Sequence, residues 1–333
     1  MTIRIRKERV GSIGLWEVEL PIISVGPTPP FLGVVSLVHG DEPSGLFAIK
    51  SLIELIRRNA PLKGTVIIPI ANPLAQTRRH RLSLSDEVDL NRCSTGDPEG
   101  CLTMRLSNTV FRHLSQCKYV VTLHEFSAPS ISMSCLYVGS DQSLFRDAAI
   151  LASYLETDVV HTVIPETNKL YWSHGLCLEV ALMRHGIACV TYEGSSTASD
   201  IITLSNKLSE KLYNVLSHDK DRLPFLRPIP FPTSRDLIRS DASGLFEPVP
   251  RTRLFANIAR DETVGHVYSV PEFARKKCIS PKSGFLIQVA PAGMVDTATP
   301  IASIGSLDIR TSDSFSRLGL EHIRDIQQRS LDT

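Results

Sequence analysis

Gly33-Val-Val-Ser-Leu-Val-His39-Gly-Asp-Glu42-Pro-Ser-Gly45 passes from an apolar, β-branched run into a polar turn, and then into Gly45–Asn59, where apolar residues return at helical spacing. A strand that is apolar without alternation is one covered on both faces. Further short runs of the same kind occur at Thr65–Ile70, Tyr119–Leu123 and Ala188–Thr191, and they alternate with helical segments at Leu102–Gln116, Leu144–Leu155 and Leu176–His185. That order predicts an α/β fold with a mainly parallel or mixed sheet and helices on both faces. In such sheets ligands gather beyond the carboxyl ends of the strands, so the residues that close each apolar run are the ones to inspect.

Outward from this core, a helical stretch at Asp200–Leu216, with Ser199 or Asp200 as candidate N-cap, closes an α/β domain expected over residues 1–222. Leu223-Pro-Phe-Leu-Arg-Pro-Ile-Pro-Phe-Pro-Thr is Pro-rich and predicts an extended linker over 223–236. Beyond it the texture is that of short strands and turns, and 237–333 is expected to form a small all-β barrel or sandwich. Ser243-Gly-Leu-Phe-Glu-Pro-Val and Ser283-Gly-Phe-Leu-Ile-Gln-Val look like two copies of one β-segment. Ser314–Gln328 reads as a terminal helix or a frayed tail.

Composition narrows the function classes. Lys and Arg number 36 against 35 Asp and Glu, a formal charge of +1 that provides no general field for nucleic acid or anionic membrane. The amino terminus is charged and alternating, without the apolar stretch of a secretory signal. The longest apolar run, Phe31–Val38, is far short of the roughly 20 residues of a membrane helix. Seven scattered cysteines with no Cys-x-x-Cys pair fit a reducing compartment, so a cytoplasmic protein is expected. Cys93 and Cys135 lie near the polar turns but have no clear His partner, and buried thiols are the better reading.

The chemistry lies in the strand ends. His39 and Glu42, separated by two residues at a strand-to-helix turn, can both point at one ion; the competing reading is a capped helix start with an incidental histidine. Tyr119-Val-Val-Thr-Leu-His124 delivers a second imidazole at a strand end. Two His and one Glu have the composition of a hydrolytic zinc site, which keeps a further coordination position open. Asp89-Leu-Asn91-Arg92 gathers a carboxylate, an amide and a guanidinium in one loop. The guanidinium fork suits a substrate carboxylate, and Asp89 is placed to orient a metal-bound imidazole through its second nitrogen; a solvated charged loop is the alternative. Ala188-Cys-Val-Thr-Tyr-Glu193 ends in a carboxylate that is either a general base for water or a solvent-facing edge residue.

Taken in order, His39-x-x-Glu42, Asn72-Pro73, Arg81, Asp89-Leu-Asn-Arg92, Leu123-His124 and Glu193 resemble the succinylglutamate desuccinylase/aspartoacylase family, a deacylase branch of the zinc-carboxypeptidase-like fold. The resemblance spans most of the chain, because that family carries a small β-domain after the catalytic one. It implies one Zn²⁺ per chain on His39, Glu42 and His124, substrate binding by Arg81, Asn91 and Arg92, and Glu193 as catalytic acid/base. The implied reaction is amide hydrolysis in a small N-acylated amino acid or related compound, with no nucleic-acid or membrane partner; a homo-oligomer is compatible with it. Three departures stand out: Thr122 where the family commonly has Asp, Cys93-Ser-Thr-Gly after Arg92, and Gly194 directly after Glu193. The segment Glu125–Cys135 follows His124 and is expected to line the pocket. Carboxypeptidase action on a peptide-like amide and a non-catalytic binding protein are the alternatives. A carrier role for Lys282, beside the second β-segment, is disfavoured because the residue is not at a hairpin tip.

Overall fold

Two strands precede the first apolar run: β1 (Ile3–Ile13) and β2 (Trp16–Val25) form an antiparallel hairpin. The computed structural model describes residues 2–139, 141–163, 177–194, 201–224, 229–230, 232–249, 253–307 and 323–324. β2 pairs with β4 (Thr65–Ile68), which runs parallel to β3 (Leu32–Val35). β3 is parallel to β5 (Tyr119–Glu125), and β5 to β8 (Ala188–Gly194). β6 (Met133–Tyr137) pairs antiparallel with β8 and parallel with β7 (Val159–Val163). The order β1-β2-β4-β3-β5-β8-β6-β7 is therefore mixed, with the apolar runs at its centre.

Six helices among the described residues cover the sheet. α1 (Ser44–Arg58), α4 (Gln142–Leu155) and α6 (Ile201–Leu216) pack on one face; α3 (Leu102–Leu114) and α5 (Leu178–Arg184) pack on the other. The short α2 (Pro73–Arg78) sits beside the turn that follows β3. Gly45, Ala48, Ile49, Leu52 and Ile56 make the buried stripe of α1, the spacing that a helix on a sheet requires. Tyr119, Val121 and Leu123 face that side, whereas Val120, Thr122 and His124 alternate to the other. None of these helices is long and apolar enough to cross a membrane.

The sheet continues beyond β7. Ile229–Pro230 (β9) is followed by β10 (Pro232–Arg239), β11 (Gly244–Pro248), β12 (Asn257–Ile258), β13 (Thr263–Tyr268), β14 (Arg275–Ile279), β15 (Gly284–Val289), β16 (Gly293–Val295), β17 (Pro300–Leu307) and β18 (Ile323–Arg324). β10 joins β7 through the pairs Pro232↔Val160 and Thr233↔His161, and adds β17, β15 and β12 to the order. A second, antiparallel sheet, β14-β13-β11-β16, packs on these strands around Phe246, Val264, Val267, Leu286 and Ile304. The two look-alike segments thus become β11 and β15, one in each sheet. The stretch read as linker is partly strand, since β10 begins at Pro232. Of the tail, the described residues are Ile323–Arg324, paired with β9; the rest of the expected terminal helix, and the cap at Ser199 or Asp200, lie outside the described residues. β6 and β7 were not visible as apolar runs, and β6 takes up Met133–Cys135, the end of the segment expected to line the pocket. Lys282 is tied down by Asp236, Ser234 (3.2 Å) and Ser306 (2.8 Å), unlike the mobile lysine of a carrier domain.

Candidate metal and catalytic site

The apolar run that opens the site stops being a strand at Val35. Leu37 turns into the left-handed region (φ 49°), and backbone bonds from Ala71 and Asn72 to Ser36 and Leu37 hold the departing chain. Gly40 then passes so close to α2 that a Cβ there would stand 2.1 Å from the Ala75 carbonyl carbon and oxygen. Close approach, rather than a positive φ, is why this position needs glycine. α2 is held in place by Asn72, whose side chain accepts from Ala75 N–H at 3.0 Å and donates to Ser83 at 2.9 Å. Asn72-Pro73 is therefore a helix start that shapes the turn.

The start of α1 does not use His39 or Glu42. Pro43 offers no side-chain cap, and Ser44 N–H donates instead to Glu125 Oε2 at 3.0 Å. The capped-helix explanation for the His39–Glu42 pair thereby loses its basis. Both residues are buried and turn inward. His39 Nδ1 lies 2.7 Å from Glu42 Oε1, and His124 Nδ1 lies 2.8 Å from Glu42 Oε2. One ligand atom from each of the three residues falls within 4.8 Å of the others. Burial alone would raise the Glu42 carboxyl, but His124 and His39 outweigh it and hold it at about 2. Burial works against protonated His124, yet Glu42 and Glu179 raise it well above the ordinary imidazole value.

Two imidazole nitrogens and a carboxylate oxygen, convergent and enclosed, fit a divalent ion, and their chemistry is the zinc-type donor set. Each imidazole also meets a carboxylate through Nε2. For His39 it is Asp89 Oδ1 at 3.2 Å; for His124 it is Glu179 Oε1 at 3.3 Å. Glu179 was missed by the sequence reading. Its one signal was a lone acid in the apolar helical stretch Leu176–Met183, and that stretch does not say what the acid would face.

The remaining expected residues are spread over the rim. Asp89 caps the short 3-10 turn Leu90–Arg92 by accepting from Asn91 N–H (2.9 Å), and Arg81 Nε donates to its other oxygen at 2.9 Å. Burial would raise Asp89, but His39 and the guanidinium groups of Arg81 and Arg92 hold it well below the carboxylate range. Asn91 is buried, and its side-chain oxygen accepts from Leu178 N–H at 3.0 Å, tying this loop to the first residue of α5. Arg92 Nη1 donates to the Asn91 carbonyl at 2.7 Å. Glu193 is the register partner of His124 across β5 and β8, so the two side chains share a sheet face. Burial is the largest influence on Glu193 and raises it above the ordinary carboxylate value, against the pull of His124. Burial likewise pushes the Cys93 thiol up to about 12 and Cys135 well above its ordinary value, which removes them as thiolate nucleophiles.

The segment after His124 is held by the carboxyl-terminal strands. Ile131 N–H donates to Ile287 O (3.0 Å), Val289 N–H donates to Pro129 O (3.2 Å), and Ser130 bridges to Gln288. The Arg235 guanidinium lies 4.7 Å from the Phe126 ring centroid.

Residues 32–180 match the family model of the Succinylglutamate desuccinylase/Aspartoacylase catalytic domain. Over 83 residues the chain is 34% identical to N-alpha-acetyl-L-2,4-diaminobutyric acid deacetylase from Halomonas elongata, a stretch that covers 25% of this chain and 24% of that relative. Among solved structures, a succinylglutamate desuccinylase from Silicibacter sp. TM1040 is similar with a TM-score of 0.76 and 20% identity, covering 92% of this chain and 95% of that one. The product-bound ectoine utilization protein EutE (DoeB) from Ruegeria pomeroyi gives a TM-score of 0.74 at 18% identity, covering 91% and 94% of the two chains. At these identities the structural likeness speaks for the fold, which extends well past the matched residues. The match to the succinylglutamate desuccinylase/aspartoacylase catalytic-domain model lies over the stretch that holds all three convergent residues, His39, Glu42 and His124.

Proposed function

We propose that this chain is a zinc-dependent deacylase that hydrolyses the amide of a small N-acylated amino acid or a closely related compound. The observation that carries the reading is the convergence of His39, Glu42 and His124 at strand ends, with Glu193 in register beside His124. When bound there, zinc supplies Lewis-acid polarisation of the amide carbonyl and acidifies water. Glu193, ionised, takes the proton of the attacking water and returns it to the leaving nitrogen as the C–N bond breaks. The products are the free acid and the free amine. Seven free cysteines accord with a reducing, cytoplasmic setting.

Arg92 and Asn91 are the proposed holders of a substrate carboxylate, with Arg81 as an outer contributor because Asp89 already engages it. The backbone that follows His124 is held at Pro129–Ile131 by β15, which accords with a small substrate rather than a peptide. Elemental analysis after dialysis, together with turnover of a panel of N-acetyl, N-succinyl and N-formyl amino acids including N-acetylated diamino acids, tests the reading. About one zinc per chain and hydrolysis of at least one member are expected. Less than about a tenth of an equivalent, with turnover indifferent to chelation, would remove the zinc claim.

Arg92→Lys is expected to lower kcat/KM by about 10-fold or more with zinc content unchanged, since a single ammonium cannot reproduce a two-bond guanidinium grip. A substrate analogue without the carboxylate should be poor for the parent and scarcely worse for the variant. Equal losses on both would instead place Arg92 in support of the loop.

A further inference from the structure

Glu179 is fully enclosed in the protein, on the helix α5 that packs against the sheet face bearing Thr122 and His124. Thr122 Oγ1 donates to its Oε1 at 2.7 Å, and His124 Nε2 lies 3.3 Å from the same oxygen. That approach has ion-pair distance without hydrogen-bond alignment, and among the described residues His124 Nε2 and Glu179 Oε2 have no other hydrogen-bond partner. A buried carboxylate is costly unless something needs its charge. Besides Thr122, it faces the imidazole of a candidate metal ligand whose opposite nitrogen faces Glu42.

We infer that Glu179 is the positioning carboxylate of His124, supplying from α5 the negative charge that an acid at position 122 would supply from the strand itself. The inference rests on the zinc-site reading above. An imidazole that binds a cation through Nδ1 carries its proton on Nε2, and a carboxylate at that proton fixes the ring and strengthens the ligand. His39 has the same arrangement through Asp89, but Asp89 shares its charge with Arg81. Glu179 accepts from the neutral Thr122 hydroxyl and pairs with the His124 imidazole. Thr122 fits the role: it is two residues before His124 on the same strand face, and its hydroxyl keeps the Glu179 carboxylate turned toward the imidazole. An Asp at 122 would bring a carboxylate to the same ring from the other side of that hydrogen bond.

The test is zinc affinity, measured by competition with a chromophoric chelator on the full chain, with metal-free thermal midpoints recorded alongside. Glu179→Gln keeps the volume and removes the charge, and is expected to weaken zinc binding about 10- to 100-fold. Adding Thr122→Asp to Glu179→Gln should restore most of that loss, which a merely space-filling role for Glu179 would not produce. Parent-like affinity in Glu179→Gln overturns the inference, as does a folded double variant no tighter than the single one. If Glu179→Gln does not fold, the double variant alone decides: parent-like affinity supports the inference, and a 100-fold loss or failure to fold overturns it. A parent chain that binds no zinc would sink the metal-site reading itself, a result separate from any of these.

Discussion

Glu193→Gln is expected to retain zinc at the parent level and to lose turnover by about 10²–10⁴-fold. Glu193 is not among the three convergent ligands, so its amide should leave metal content alone. The substitution also keeps the side chain's size beside Met133 and His124, its register neighbours on β6 and β5. What disappears is the site that accepts a proton. Because burial raises Glu193 from the ordinary carboxylate range, the parent's activity should decline on the acid side as the carboxylate is protonated, and that limb should be absent from the variant's residual rate. Zinc content and kcat on the same preparation decide the matter. A variant that turns over at near the parent rate would mean the proton goes elsewhere.

Gly40→Ala should be nearly as damaging, by a different route. The added Cβ would lie 2.1 Å from Ala75 C and O and 2.4 Å from Gln76 N, all backbone atoms that cannot swing aside. Either α2 or the His39–Glu42 turn has to move. Overpacking of this kind reaches about 3 kcal/mol, and a displaced ligand turn should lower turnover about 100-fold. Thermal unfolding and kcat/KM measured on the metal-loaded protein would show both losses. Ala75→Gly should not rescue the variant, because the clash is with the main chain and not with the Ala75 methyl. Parent-like stability in Gly40→Ala would show that the turn is slack.

The parts of the fold that were legible are those whose signal is local. β3, β4, β5 and β8 are buried on both faces and read as apolar runs, and α1 and α3 carry unbroken stripes. The hairpin β1–β2 was hidden because β1 is largely solvent-facing and studded with Arg, Lys and Glu. β6 lies among serines whose hydroxyls are satisfied only by tertiary partners, such as Ser132 on Asp158 and Ser134 on Thr157. The convergence of His39, Glu42 and His124 was legible because strand ends are where such sheets place chemistry. Glu179 was not, since its meaning depends on Thr122 and His124, more than 50 residues away in sequence. For Gly40, the neighbour that demands glycine is Ala75 on another element. Asn91 reads as a clamp residue, while its side-chain oxygen accepts from the first N–H of α5.

The seam between β15 and Pro129–Ile131 bears on how this architecture can be divided. A chain cut near residue 222 would keep His39, Glu42, His124 and Glu193, yet it would expose the buried Phe126 and Ile131 and leave the backbone that follows His124 without its outer support. Modularity here is therefore only apparent: the carboxyl-terminal strands brace the segment that follows the third candidate ligand. Grafting the β10–β17 unit of a relative with another preference, together with its matching segment for residues 126–131, is then a route to transplant selectivity while His39, Glu42 and His124 stay untouched.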